Sequence, residues 1–167
     1  MAREQALVLP VLVASPVDVG RLQRELAAID EVLVQLALRQ GGSETKMPKT
    51  SHLMDQIVSD NQLNLLQEAD RKKLAEFLEL VKTKAPVLHM SFGADPSVGF
   101  MEKLMAWLRQ NISPYVLVTV GLQPNIGAGC IVRSTNRQFD LSLRQDFLNK
   151  RDLLMNKIIG GQAEVTA

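Results

Sequence analysis

The amino-acid sequence predicts an α+β protein, in which an N-terminal strand and helices precede a small strand-helix-strand-strand-helix domain. Three observations predict this class. Apolar residues recur at alternating steps of three and four along residues 19–36, which is typical of an amphipathic helix. After Pro86, short apolar runs rich in β-branched residues alternate with helical patterns. Proline and glycine mark the boundaries between these segments.

The first apolar run, residues 7–13, is expected to form an edge strand. Its leucines and valines favour extended structure, and Pro10 cannot donate a backbone hydrogen bond inside a sheet. A signal peptide is the alternative interpretation of this run. It is disfavoured because Glu4 opposes the charge of Arg3, and because Pro10 interrupts the apolar stretch.

Three helices are expected next in the N-terminal region. The first begins at residues 15–16, where a serine N-cap precedes a proline at the first helical position, and it ends near the glycine pair 41–42. Its apolar stripe consists of Val19, Leu22, Leu26, Ile29, Leu33 and Leu36. A polar linker over 41–50, a short helix over 52–59 and a longer helix over 65–82 follow. Arg71 is expected on the solvated face of the longer helix.

The C-terminal domain shows a different pattern. Its predicted elements are a strand over 87–92, a helix over 97–110, strands over 115–121, 129–134 and 138–140, and a last helix that begins with a capping box at Ser142 and Gln145. The last helix places Leu143, Phe147, Leu154 and Ile158 on one face. The predicted organisation is a mainly helical region with a leading strand over 1–85, an α/β domain over 86–160 and a frayed tail over 161–167.

The composition excludes several classes of protein. The 167 residues carry 19 basic and 18 acidic side chains, a net charge of +1, which disfavours a strongly basic nucleic-acid binder and an acidic disordered chain. The longest apolar run, residues 6–14, contains Pro10 and is well short of the ~20 residues that cross a membrane. Cys130 is the only cysteine, which excludes an intramolecular disulfide framework and a cysteine-ligated zinc site.

No constellation of residues predicts catalysis. The two histidines, His52 and His89, fall in different predicted segments, and an active site needs converging partners. Cys130 lies in an apolar strand, where it is expected to act as a small hydrophobic residue. The glycines of residues 127–129 precede a strand instead of opening a helix, so they predict a tight turn or bulge and not a phosphate loop. We therefore expect a protein that is not an enzyme and has no metal or cofactor.

Residues 123–144 carry a motif. The matching positions are Pro124, Ile126, Gly129, Cys130, Ile131, Val132, Arg133, Phe139, Asp140, Ser142, Leu143 and Arg144. This pattern resembles the C-terminal domain of the delta subunit of F-type ATP synthases, also called the oligomycin-sensitivity-conferring protein. The resemblance covers about residues 86–155 and departs from the family pattern at Gln123 and Ala128. The helical bundle that begins members of this family has no counterpart in residues 1–85.

The resemblance implies a stator subunit. Members of this family hold the catalytic head of the ATP synthase to the peripheral stalk, so that proton-driven rotation makes ATP instead of turning the head. The implied partners are the C-terminal helices of the stalk b subunits and the N-terminal tails of the alpha subunits, with no nucleic acid. The implied location is the cytoplasmic face of the cell membrane, peripheral and as part of the complex.

The predicted partner-binding residues lie in the last helix. By analogy with the family, the stalk helices would contact an apolar stripe with a charged rim. The predicted binding residues are Arg144, Phe147, Arg151, Leu154 and Ile158. The alternative is packing on the chain's own sheet, which we expect for Leu143 and Phe147. Arg133 and Asp140 are expected to pair with each other at a strand end.

Three other functions stay open. The E subunit of rotary V/A-type ATPases ends with a similar pattern and serves the same stator role. A small RNA-binding module would use the basic end of the chain, since residues 133–157 contain six basic and three acidic side chains, although aromatic residues are only 4% of the sequence. A small-ligand or regulatory enzyme domain would place its site at residues 127–129.

Overall fold

The computed structural model describes residues 7–38 and 49–160. These residues form a four-stranded sheet and six α-helices, which turns and loops connect. In chain order the elements are α1 (Pro16–Leu38), α2 (His52–Asn61), α3 (Glu68–Lys84), β1 (Val87–Phe92), α4 (Val98–Asn111), β2 (Leu117–Leu122), a 3-10 turn (Pro124–Ile126), β3 (Gly129–Arg133), β4 (Gln138–Ser142), α5 (Arg144–Asn149) and α6 (Arg151–Gly160). The predicted α+β class is confirmed.

The sheet is mixed and has the strand order β2-β1-β3-β4. β3 is antiparallel to both β1 and β4. β2 runs parallel to β1, because the amide of Leu117 donates to the carbonyl of Pro86 at 3.0 Å and the amide of Gln123 donates to that of Phe92 at 2.8 Å. A parallel pair needs a crossover connection, which α4 supplies.

The described residues divide into two compact units. The first contains those of Met1–Leu88 together with Ser97–Thr119, and the second contains His89–Pro96 with those of Val120–Ala167. β1 and β2 each begin in the first unit and end in the second. The predicted domains 1–85 and 86–160 stay a prediction, because compactness alone does not show which parts fold independently. The predicted tail, 161–167, and most of the predicted linker lie outside the described residues.

In the first unit, α1 packs antiparallel against α3. Near the start of α1, Gln23 Nε2 donates to Glu79 Oε2 at 2.8 Å. Two turns later, Asp30 accepts from Arg71, which comes earlier in α3. Apolar side chains of α1, α2 and α3 fill the core, which includes Val19, Leu22, Leu26, Met54, Ile57, Leu74, Phe77, Leu78 and Val81. The first four positions of the predicted α1 stripe are buried, which confirms that part of it.

Arg71 is buried, whereas the sequence predicted it on a solvated face. Only 6% of the residue is exposed. Its guanidinium donates to the carboxylate of Asp30 and to the carbonyl of Leu65, the latter at 2.9 Å. A charge is tolerated inside a protein when a partner charge and further hydrogen bonds replace water. Periodicity within α3 could not reveal a partner that lies on another helix.

Residues 7–13 do not form the predicted edge strand. The amide of Val13 donates to the carbonyl of Pro10 at 3.0 Å, which closes a turn instead of a strand. Leu9 and Val13 are nevertheless buried. The carbonyls of both residues accept hydrogen bonds from one side chain. The two terminal guanidinium nitrogens of Arg109 donate to the oxygens of Leu9 and Val13, each at 2.6 Å.

Two more contacts fix this N-terminal segment within the first unit. The side-chain amide of Asn61 donates to the carbonyl of Val8 at 2.9 Å, and its oxygen accepts from the amide of Val8 at 2.6 Å. The amide of Val118 in β2 donates to the carbonyl of Ala14 at 2.7 Å. Side chains therefore replace most of the ladder hydrogen bonds that the predicted strand would have made.

Replacing Arg109 with methionine tests this arrangement. The variant loses two hydrogen bonds from a charged donor to carbonyls of buried residues, so we expect the free energy of unfolding to fall by about 2–3 kcal/mol. Urea denaturation followed by circular dichroism measures it. The control is Arg21→Met, at an exposed position of α1, which should change the value by less than about 0.5 kcal/mol. Equal stabilities of the two variants would contradict the structural role assigned to Arg109.

Candidate partner-binding surface

The strands of the second unit present one apolar face. Residues directly opposite on neighbouring strands share a face, and successive residues alternate between faces. The register pairs Cys130 with Leu141 and Val132 with Phe139 across β3 and β4, and β1 continues the same face. The face consists of Met90, Phe92, Cys130, Val132, Phe139 and Leu141.

β2 adds two residues to the apolar face. A Cβ atom at Gly121 would lie 3.5 Å from the hydroxyl oxygen of Ser91, which pairs with Ile131 on the opposite, more polar face. Gly121 therefore lies on the polar face as well. Alternation then places its neighbours, Val120 and Leu122, on the apolar face.

The outer strands leave their part of the apolar face open. On β2, Val120 is 40% exposed and Leu122 61%, and on β4, Phe139 is 50% exposed and Leu141 58%. The β1 residues of the same face are buried. Exposed apolar area of this kind marks interaction surfaces, since removing it from water is favourable.

The predicted binding residues are divided between α5 and α6. Arg144 and Arg151 are the first residues of these helices, and both are exposed. Phe147 lies in α5 and is 51% exposed. Leu154 and Ile158 lie in α6, and their side chains are outside the described structure. The role of all five in binding stays a prediction.

Leu143 and Phe147 are not buried against the chain's own sheet, so that expectation is wrong. Leu143 is 45% exposed, and the neighbouring apolar residues of α5 and α6 are similarly open. At least nine large apolar side chains of the second unit are 40% exposed or more. This exposed apolar set comprises Val120, Leu122, Phe139, Leu141, Leu143, Phe147, Leu148, Leu153 and Met155.

Eight members of the exposed apolar set were not among the predicted binding residues. The strand members lie in runs where apolar and other residues alternate, as in Phe139-Asp140-Leu141. That alternation identifies a shared face, but it does not show whether the face is covered. The sequence therefore indicated which residues share a face, but it could not indicate that this face is exposed to solvent.

The predicted last helix is two helices. α5 ends at Asn149, and Lys150 separates it from α6 with φ −104° and ψ 11°. The predicted capping box is not formed, because Ser142 ends β4 and the residue before α5, Leu143, makes no side-chain cap. Asparagine has low helix propensity, since its side chain competes for backbone hydrogen bonds. The one helix expected over residues 143–158 is therefore interrupted at Lys150.

Asp140 is fixed by Ser142 and not by Arg133. Its Oδ1 accepts from the amide of Ser142 at 2.9 Å, while Arg133 Nε donates to Gln138 Oε1 at 2.8 Å. The predicted pairing of Arg133 with Asp140 is therefore wrong. Hydrogen bonds from the hydroxyl and the amide of Ser142, with the nearby charge of Arg144, hold the pKa of Asp140 below its ordinary value of 3.8.

A small cavity of about 70 Å³ adjoins Asp140. It holds no more than one or two water molecules, and drug-sized ligands need several hundred Å³. The lining residues are Gln123, Asn125, Ile126, Ile131, Asp140, Ser142 and Arg144. The polar groups here serve the local structure of the hairpin and do not form a substrate pocket.

Gly129 is required by the contact between β3 and β4. Its φ is +86°, and a Cβ atom there would collide with the backbone carbonyl of Leu141. Gly127 also has a positive φ, of +71°, and its carbonyl oxygen would lie 3.0 Å from a Cβ atom at Gly93. Glycine is the residue that tolerates both conditions. The predicted tight turn is confirmed. Sequence reasoning missed Gly93, where a side chain would press against the backbone of Gly127.

The remaining candidate groups lie on three different elements, α2, β1 and β3. His52 begins α2 and His89 lies on β1, and both are exposed. Partial burial raises the pKa of the Cys130 thiol, which disfavours the reactive thiolate. Within residues 7–38 and 49–160, no three His, Cys, Asp or Glu side chains are grouped as a metal site requires. None of the described helices has the length and apolar character needed to cross a membrane.

The chain matches no protein-family model, and no curated protein matches it. The resemblance to the ATP synthase delta subunit therefore rests on the motif in residues 123–144.

Replacing Gly129 with alanine should destabilise the second unit. The new methyl group meets the Leu141 backbone at a φ that favours glycine, so we expect the free energy of unfolding to fall by about 2–4 kcal/mol. Gly20→Ala is the matched control, because Gly20 lies in α1 with open space around its Cβ position. It should raise the value by up to about 1 kcal/mol. Both are measured by urea denaturation, and a neutral Gly129→Ala variant would contradict the described hairpin.

Asp140 should make stability depend on pH in the acid range. Because its pKa is lowered in the folded state, its stabilising contribution is present above the ordinary value of 3.8 and is lost as pH falls through the folded value. Asp140→Asn removes that contribution. Urea denaturation at about pH 6 and about pH 3 should show a smaller loss of stability for this variant than for the wild type. Asp152→Asn, on α6, is the control, and identical losses in the wild type and Asp140→Asn would refute the assignment.

Proposed function

We propose that this chain is a non-catalytic stator subunit of a rotary F-type ATP synthase, linking the catalytic head to the stalk b subunits during proton-driven ATP synthesis. The observation that carries the proposal is the exposed apolar set of the second unit. Three of its members lie within the motif of residues 123–144 that resembles the delta subunit, and four follow it. A stator needs a surface that holds its partner tightly and needs no catalytic group.

The proposed partner of this surface is the C-terminal helix of a stalk b subunit. Exposed basic residues on and between α5 and α6 accompany the apolar ones, namely Arg144, Lys150, Arg151 and Lys157, with two exposed acidic residues, Asp146 and Asp152. A helix with one apolar face and acidic flanks complements such a surface. Burial of the apolar side chains would supply the affinity, and the charges would set orientation and the rate of encounter.

The proposal extends to the other partner and to location. We place the N-terminal tails of the alpha subunits on this chain as the contact with the head. The chain would then lie at the cytoplasmic face of the cell membrane, held there through the complex. Such a connection resists rotor torque by dissociating slowly, which well-packed apolar contacts provide.

Binding of the full chain to a peptide of the C-terminal helix of the b subunit from the same organism tests the proposal. Isothermal titration calorimetry should show binding, and Phe147→Asp should weaken it by at least about tenfold, since an aromatic anchor is replaced by a charge like those of the partner. Arg151→Glu should weaken it less. Val98→Asp is the control, because Val98 is 73% exposed but lies in the first unit. This variant should bind the peptide with the affinity of the wild type.

Two results would overturn the proposal. The first is no binding to the peptide, or equal binding by Phe147→Asp and the wild type. The second is steeply salt-dependent binding of RNA by the full chain, which would favour the RNA-binding alternative. Purification of the tagged chain from gently solubilised membranes tests the E-type alternative, since an E-type subunit would bring V/A-type ATPase subunits with it.

A further inference from the structure

A groove of about 400 Å³ lies between α1 and α3 in the first unit. Its lining residues follow one face of each helix at helical spacing, over about two turns of α1 and about one turn of α3. They are Gln23, Leu26, Ala27 and Asp30 on α1, and Ala75, Glu76 and Glu79 on α3. Ala27 and Ala75 are small and exposed, so they leave the space between the two helices open.

The groove has an apolar floor and an acidic rim. Ala27 and Ala75 supply the exposed apolar surface above the buried side chain of Leu26, and three carboxylates border it, with no lysine or arginine among the described lining residues. Asp30 is the only one of the three that accepts from a buried cation, Arg71. Gln23 Nε2 donates to Glu79 Oε2 at 2.8 Å, which holds the Glu79 carboxylate beside the groove.

We infer that this groove binds a cationic amphipathic helix of a partner protein. The inference does not depend on the proposed function, since it concerns the first unit and a different pair of helices. Two antiparallel helices leave between them a channel into which the side chains of a third helix can pack. The alanines allow its backbone to approach, its apolar residues would cover these two alanines, and its lysines or arginines would face Glu76 and Glu79.

The apolar floor distinguishes a helix from a simple cation. A metal ion or a polyamine would need only the carboxylates and would gain nothing from the alanines. Because Asp30 already pairs with Arg71, Glu76 and Glu79 are the two rim carboxylates that a basic partner would face. The shape and the charge of the groove therefore favour the same class of partner.

Fluorescence anisotropy with the full chain and two labelled probes tests the inference. One probe is a blocked peptide of about 15 residues that is helical, with leucine and alanine on one face and lysine on the other, and the second has glutamate in place of lysine. The lysine probe should bind at near-physiological salt, and the glutamate probe at least about tenfold more weakly.

Matched variants locate the binding. Ala27→Leu fills the groove and should weaken binding of the lysine probe by at least about tenfold, whereas Ala28→Leu, at the next exposed position of α1 and outside the groove, should leave it within about twofold. The pair Glu76→Gln and Glu79→Gln should weaken it about three- to tenfold, while the exposed pair Glu31→Gln and Glu102→Gln should not.

Three outcomes would overturn the inference. One is equal binding of the two probes, and another is equal binding by the Ala27→Leu and Ala28→Leu variants. The third is self-association of the wild-type chain that Ala27→Leu abolishes, because the groove would then hold a second copy of this chain. Circular dichroism of each variant confirms folding, and the charge variants test the groove independently of the change in packing.

Discussion

Alternation of side chains along the strands of the second unit places apolar residues on one face of all four strands. The residues of β1 on this face are buried, while those on β2 and β4 stay open to water. A strand cannot turn a single side chain to the other face without shifting its whole register. The pairing of β3 with β4 therefore determines that Phe139 and Leu141 are presented together, and Gly129 makes that pairing sterically possible.

The exposed face is the feature of the second unit on which the proposed function rests. Its polar groups, such as Asp140 and Arg133, make hydrogen bonds within the hairpin, and the adjoining cavity is too small for a substrate. Its apolar groups are available for a partner. The proposed binding role thus rests on the exposed apolar side chains, and the delta-like motif supplies the identity of the proposed partner.

In the first unit, individual side chains replace regular backbone pairing. Arg109 donates to the carbonyls of Leu9 and Val13, and Asn61 pairs with the backbone of Val8. Partial burial lowers the pKa of Arg109 to about 10, which still leaves it a cation at neutral pH. These contacts join segments about 50 and 100 positions apart in the sequence, so no local pattern could predict them.

Local patterns predicted the class, the bounds of β1 and the buried stripe of α1, because propensity and periodicity act over a few residues. They failed where distant partners decide the outcome. The apolar run at 7–13 favours a strand, but its carbonyls bind a side chain. Arg71 has the polarity of a surface residue, but its side chain is buried and donates a hydrogen bond to Asp30. Leu143 and Phe147 have the spacing of core residues, yet no part of the described chain buries them fully.

Site-specific photo-crosslinking in the organism's own cells tests the central claim most directly. A photoreactive phenylalanine analogue would replace Phe139 on β4 or Phe147 on α5, and Val98 in the first unit would be replaced as the control. The account predicts that both positions of the second unit crosslink to a b subunit of the ATP synthase and that position 98 does not. Crosslinks from 139 and 147 to ribosomal proteins or RNA, or no crosslink at either position, would contradict it.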